Sequence, residues 1–122
     1  MIELRHISKT FPTADGHVDA LRDINLTIRD GDIYGIIGMS GAGKSTLVRT
    51  INMLERPSEG SVLIDGVEME NLSPAELRAQ RQKIAMIFQH FNLLMQRNCL
   101  DNVAFPLELA GQKKSEARAQ AR

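Results

Sequence analysis

Apolar residues change their spacing along the chain, and each spacing predicts an element. From Ile2 to Phe11 the pattern alternates in part, with Ile2, Leu4 and Ile7 set against Glu3, Arg5 and Lys9, as in a half-buried strand. Pro12 to Gly16 reads as a turn. Val18 to Ile28, with Leu21, Ile24, Leu26 and Ile28 spaced by two or three, predicts a second strand and an antiparallel hairpin. Ile33-Tyr34-Gly35-Ile36-Ile37 is an unbroken apolar run, the mark of a strand buried on both faces. A helix is predicted from Lys44 to about Leu54, stopped by Pro57-Ser58-Glu59-Gly60. Ser61 to Ile64, the turn Asp65-Gly66 and Val67 to Met69 predict a short hairpin. Ser73-Pro74-Ala75-Glu76 is a capping box with proline at the first helical position, so a helix is expected from Pro74 to about Gln82. Lys83 to Phe88 predicts a second buried strand ending at Gln89. Leu100 to Ala110 reads as a helix with Pro106 as a kink or break. Lys113 to Arg122 is alanine-rich and helix-prone.

Between the run at Ile33 and the helix at Lys44 lies Gly38-Met39-Ser40-Gly41-Ala42-Gly43-Lys44-Ser45-Thr46. It matches glycine, four residues, glycine-lysine-serine/threonine, in the required order of strand, loop and helix. Polyphosphate is dense negative charge, and backbone encloses it only at very close approach. Gly38, Gly41 and Gly43 lack Cβ atoms and can take positive φ, so successive N–H groups can converge on phosphate oxygens. The helix start adds unpaired N–H groups and the positive end of its dipole. Lys44 supplies a point charge for the β- and γ-phosphates, Ser45 a hydroxyl for Mg²⁺, and Thr46 a further donor. The four fixed positions arise by chance in roughly 0.4% of chains this long. A plain structural turn is therefore the weaker reading.

Composition narrows the rest. The chain has 122 residues, enough for one modest domain, with 15 basic and 15 acidic side chains. Zero net charge removes the electrostatic case for a nucleic-acid partner. Cys99 is the single cysteine, so there is no intramolecular disulfide and no cysteine-based metal site. No apolar run approaches the roughly 18 to 20 residues of a membrane span. Met1 leads directly into strand-like sequence without a signal peptide, which predicts a cytosolic protein.

Other residues keep two readings. Phe11, ending the first strand, is either a core aromatic or a ring that stacks on a nucleotide base. Gln89 stands where a buried parallel strand ends, the side that faces ligands in α/β sheets. It is either a surface glutamine or a contact to a metal ion or water beside the γ-phosphate. Phe91, Leu93, Leu94 and Met95 either return to the core or form a docking surface. His90, His6 and His17 have no companions at metal-ligand spacing, and Arg78, Arg81 and Lys83 read as a solvated basic face.

The phosphate loop, the strand Ile84-Ala85-Met86-Ile87-Phe88 ending in Gln89, and the hairpin carrying Phe11 together resemble the ATP-binding subunits of ABC transporters. The resemblance covers essentially all 122 residues. The runs Ile87 to Leu94, Asn52 to Pro57 and Asn102 to Leu109 look especially like the methionine importers of bacteria. The resemblance implies an α/β fold: a P-loop (RecA-like) core with an N-terminal antiparallel β portion. One nucleotide-binding domain is then only partly covered, about 1–88 as core and antiparallel portion and about 89–122 as the Q-loop and the start of a helical subdomain. It implies that Phe11 stacks on adenine, that Ser40, Gly41, Ala42, Gly43, Lys44, Ser45 and Thr46 hold ATP, and that Lys44 and Gln89 serve catalysis. Ser45 and Gln89 would meet Mg²⁺. The implied partners are a second copy of the subunit and membrane permease subunits docking after Gln89, on the cytoplasmic face of the membrane. Met39, Ala85 and Asn98-Cys99-Leu100 depart from the usual pattern. The signature motif, the Walker B aspartate, the catalytic glutamate and the switch histidine would follow Arg122. Two other functions fit the same residues: an ABC-type ATPase working without a membrane partner, and a non-catalytic nucleotide-binding module.

Overall fold

The computed structural model describes residues 1–122, which divide into two compact units, Met1–Leu77 and Arg78–Arg122. The first unit is built on the predicted hairpin. Strand β1 (Ile2–Thr13) pairs antiparallel with β2 (Gly16–Ile28), from Ile2 opposite Ile28 through Phe11 opposite Val18 to Thr13 opposite Gly16. The other edge of β1 pairs antiparallel with β3 (Glu59–Ile64), and β3 with the two-residue β4 (Val67–Glu68), giving the order β2-β1-β3-β4. Leu4, Ile7, Leu21, Val62, Leu63 and Met69 are buried. Each such side chain contributes about 1.5–3 kcal/mol when fully removed from water.

A bulge explains the imperfect alternation of β1. Leu4 and Ile7 are three residues apart, yet both are buried, because the pairing with β2 shifts register between them. His6 takes the left-handed conformation there (φ 51°), as does Asp23 opposite it (φ 45°). His6 Nδ1 lies 2.7 Å from Asp23 Oδ1, and the His6 N–H donates to Asn25 Oδ1 at 2.9 Å. The His6 imidazole, then the Asn25 amide, hold the Asp23 carboxyl below its ordinary value. Gly60 on β3 faces this bulge, where a Cβ would stand 2.3 Å from the His6 carbonyl oxygen. Since β4 is so short, the Val62 N–H turns to a side chain and donates to Glu70 Oε1 at 2.5 Å.

Helix α1 spans Lys44–Ile51, three residues shorter than expected. Asn52 caps it, its Oδ1 accepting the Leu54 N–H, and buried Met53 takes the left-handed position (φ 59°) that glycine usually fills after a helix. Helix α2 (Pro74–Arg81) begins on the predicted capping box: the Ser73 N–H donates to Glu76 Oε2 at 2.8 Å and the Glu76 N–H to Ser73 Oγ at 3.3 Å.

In the second unit, α3 (Cys99–Leu109) is capped by Asn98, whose Oδ1 accepts the Asp101 N–H at 2.8 Å. It continues past Pro106 instead of breaking there. Helix α4 (Lys114–Ala121) packs on α3, tied by Asp101 Oδ1 3.1 Å from Arg118 Nε, and Ala104 and Ala117 are buried.

The two expected buried strands do not form. Residues 33–37 adopt no regular structure and Ile37 is 96% exposed; 84–88 are likewise irregular, with Ile87 95% exposed. A strand is held by its ladder, and neither segment is among the four strands of the sheet. Apolar β-branched residues alone do not supply one.

The capping box carries a pH signature. The Ser73 N–H, then the Ser73 hydroxyl, hold the Glu76 carboxyl below its ordinary value of 4.5. A depressed carboxyl stabilises the fold above its unfolded value, and the effect is lost as pH falls through the folded value. The Ser73 amide resonance is expected to titrate with a midpoint below 4.5. A midpoint at or above that value would show that the box is open in solution.

Candidate functional site

The phosphate loop is held from behind by β2. Gly43 stands at the N-terminus of α1 in the left-handed conformation (φ 75°), and a Cβ built there would lie 2.3 Å from the carbonyl oxygen of Ala20. Both the torsion and the space demand glycine. Gly41 shares the positive φ (81°), whereas Gly38, expected to use the same freedom, does not. Gly38 is instead close-packed, with a Cβ there 3.3 Å from the Ala42 side chain.

No side chain caps α1, so its first-turn N–H groups have no local acceptor. Lys44 folds over the loop: its Nζ donates to the carbonyls of Gly38 (2.9 Å) and Met39 (3.1 Å), while the Ala42 N–H donates to Met39 O at 3.1 Å. Ser40, Gly41, Ala42 and Ser45 are exposed, and Thr46 is half-buried. Uncapped helix N–H groups, one ammonium and the three hydroxyls of Ser40, Ser45 and Thr46 thus belong to one short, largely exposed loop. That donor set can take a polyanion, and the Ser45 hydroxyl is a hard oxygen of the kind Mg²⁺ accepts.

Phe11 lies on β1 in the same unit. It is half-buried, so it is not a sealed core residue, and the Lys9 ammonium sits over its ring, 4.9 Å from the centroid. In the sequence Lys9 reads only as the polar phase of an alternating strand. Its Nζ also donates to the Arg56 carbonyl at 2.8 Å and lies 3.4 Å from Glu55 Oε2.

Gln89 belongs to the second unit and is exposed, as is His90. Phe91 and Asn92 both take left-handed conformations (φ 59° and 52°), a strained pair in which the Asn92 N–H donates to His90 O at 2.7 Å. Of the apolar cluster, Leu94 is half-buried and the other three are exposed. Phe91 is 77% and Met95 88% exposed, and Leu93 is exposed beside them. Asn102 of α3 pins the next loop, its Oδ1 accepting the Leu94 N–H and its Nδ2 donating to the carbonyls of Leu94, Arg97 and Asn98.

The role of Gly43 is testable against Gly66, which also has positive φ (79°) but open space around its Cβ position. Gly66→Ala is expected to cost about 1 kcal/mol from backbone strain alone, and Gly43→Ala on the order of 2–4 kcal/mol from strain plus backbone collision. Urea unfolding of both variants measures this. Equal costs would mean that β2 does not press on the loop.

The comparisons agree with this geometry. The chain is 60% identical over 121 residues to a methionine import ATP-binding protein of Lactiplantibacillus plantarum, and 59% identical over 119 residues to one of Burkholderia pseudomallei. The first alignment covers 99% of this chain and the second 98%, but each covers 35% of the relative, so the chain spans about a third of their length. Among solved structures, the dimeric ATP-binding cassette MJ0796 in a post-hydrolysis state bound to ADP and phosphate superposes with a TM-score of 0.91 at 36% identity, over 99% of this chain and 54% of that one. Another dimeric structure of that bacterial ABC transporter cassette gives 0.90, over 98% and 53%. The fold class is therefore α/β, the nucleotide-binding core of such cassettes with its N-terminal antiparallel sheet. A family model described as ABC transporter matches residues 21–122, and the chain belongs to that family.

Proposed function

We propose that these residues form the nucleotide-binding part of an ATPase subunit that powers import of methionine or another amino acid. The observation that carries this reading is the phosphate loop, with uncapped N–H groups at α1 and Lys44 poised over it. The names of the relatives at 60% and 59% identity support the importer and its cargo. In this reading Ser40 to Thr46 bind the phosphates of ATP, with Lys44 exchanging the Gly38 and Met39 carbonyls for β- and γ-phosphate oxygens. Ser45 would hold Mg²⁺, which would supply charge to offset that of the phosphates, and Gln89 would be a contact to the metal and the γ-phosphate. Phe11 stacks on adenine. The reaction is phosphoryl transfer to water, where positioning and charge neutralisation do most of the catalysis.

The remaining assignments belong to the same proposal. Residues 1–122 form the N-terminal part of one nucleotide-binding domain, about 1–88 as core and about 89–122 as Q-loop and helical subdomain. The dimeric cassettes support pairing with a second copy. The exposed Phe91, Leu93 and Met95 support docking of a membrane permease after Gln89, at the cytoplasmic face of the membrane. No helix is long and apolar enough to cross a membrane.

Titration with a fluorescent ATP analogue tests the core of this. Lys44→Ala is expected to lose about 1.5–3 kcal/mol of binding, roughly 10- to 150-fold, with the fold intact. Phe11→Ala is expected to lose on the order of 1–3 kcal/mol, with tryptophan tolerated there. Unchanged affinity in Lys44→Ala would overturn the nucleotide site, and unchanged affinity in Phe11→Ala the stacking role.

Turnover is a separate question. The acids near the site in sequence, Asp65, Glu68, Glu70 and Asp101, end no parallel strand, so none is placed to orient an attacking water. These 122 residues are expected to bind ATP and to release phosphate no faster than their Lys44→Ala form. Clear turnover above that variant would show a complete catalytic set.

A further inference from the structure

Lys9 precedes Phe11 by two residues on β1, beside an irregularity in the pairing with β2, and its ammonium reaches over the Phe11 ring. Its ammonium has three neighbours: the Arg56 carbonyl at 2.8 Å, Glu55 Oε2 at 3.4 Å and the face of the Phe11 ring, 4.9 Å from its centroid. Its side chain is only 16% exposed. The acceptors belong to the turn just after α1, and that turn is fastened at both sides. The Glu55 N–H donates to Arg49 O of α1 at 3.1 Å, the Ser58 N–H to Ser8 O of β1 at 2.8 Å, and the Thr10 N–H to Ser58 Oγ at 3.1 Å. Lys9 is thereby anchored to the far end of the helix whose N-terminus carries the phosphate loop.

We propose that Lys9 is a positioning residue for the nucleotide base: it closes one face of the Phe11 ring, fixes the ring's attitude and leaves the opposite face to a purine. A cation draws π density toward itself, which suits the other face of the ring to an electron-rich heterocycle. A half-buried ring with one face occupied also has a single direction left for stacking. This rests on the reading of Phe11 as the base-stacking residue, and goes beyond it by naming what holds the ring and by linking that hold to α1.

The test uses two probes, ATP and inorganic tripolyphosphate, titrated against the wild-type chain, Lys9→Met, Lys9→Arg, Phe11→Ala and the double variant Lys9→Met/Phe11→Ala. Lys9→Met is expected to weaken ATP about three- to tenfold and to leave tripolyphosphate unchanged. Lys9→Arg is expected to restore most of the loss. Lys9→Met is expected to add nothing once Phe11 is alanine. Unchanged tripolyphosphate binding also shows that the loop is still folded, so a base-specific loss is separable from general damage. Equal weakening toward both probes, unaltered ATP affinity, or a full Lys9 effect without Phe11 would each overturn the proposal. If the wild type binds tripolyphosphate but Phe11→Ala leaves ATP affinity unchanged, the stacking reading falls and takes this one with it. If the wild type binds neither probe, the nucleotide site itself is wrong.

Discussion

The approach of Gly43 to the Ala20 carbonyl is the constraint on which the rest of the first unit depends. A strand backbone sits where any larger residue would place its Cβ. That proximity fixes the start of α1 against the sheet and forces the chain through a left-handed turn just before Lys44. A helix begun this way has no side chain to cap it. Its first N–H groups are left for an acceptor that the local chain does not supply, and such groups are costly unless water or an anion satisfies them. The packing therefore leaves these N–H groups to water or to an anion, beside the Lys44 ammonium resting on two loop carbonyls.

How much of this was legible in the sequence follows the range of the interactions. The β1–β2 hairpin, the Asp65-Gly66 turn, the Ser73/Glu76 capping box and the phosphate loop are each decided within a few residues, and each stands where the residues place it. The strands expected at 33–37 and 84–88 are decided by neighbours far along the chain. Ile33, Ile36 and Ile37 have the composition of a buried strand, but composition contributes side-chain burial and not ladder partners. Helix boundaries erred for a local reason that propensity does not record: Met53, not glycine, takes the left-handed position and ends α1 early. Pro106, expected to kink or break a helix, does not break α3, because helical neighbours on both sides carry it past one missing donor.

The site divides along the same line. Ser40 to Thr46 stand out in the sequence as a candidate because phosphate chemistry would constrain adjacent residues. The bulge at His6 and the contacts of Lys9 do not. In sequence Lys9 is an ordinary polar strand residue, and its meaning lies in a turn 47 residues away. Phe11 was readable only as a pair of alternatives. The structure shows a half-buried ring with a cation over one face, and the base-stacking role stays a proposal.

These contacts make β1 and α1 two arms of one bracket. At one end Gly43 presses on β2, the strand paired with β1. At the other, the turn after α1 is hydrogen-bonded to Ser8 and Thr10 and grips Lys9. An eight-residue helix is about 12 Å long and close to rigid over that length. Holding both of its ends against one sheet removes the freedom to rotate or slide. The separation between the phosphate loop and the Phe11 ring is then set by the fold before any ligand arrives. A ligand that needs both ends loses less entropy on binding than one that must order them itself.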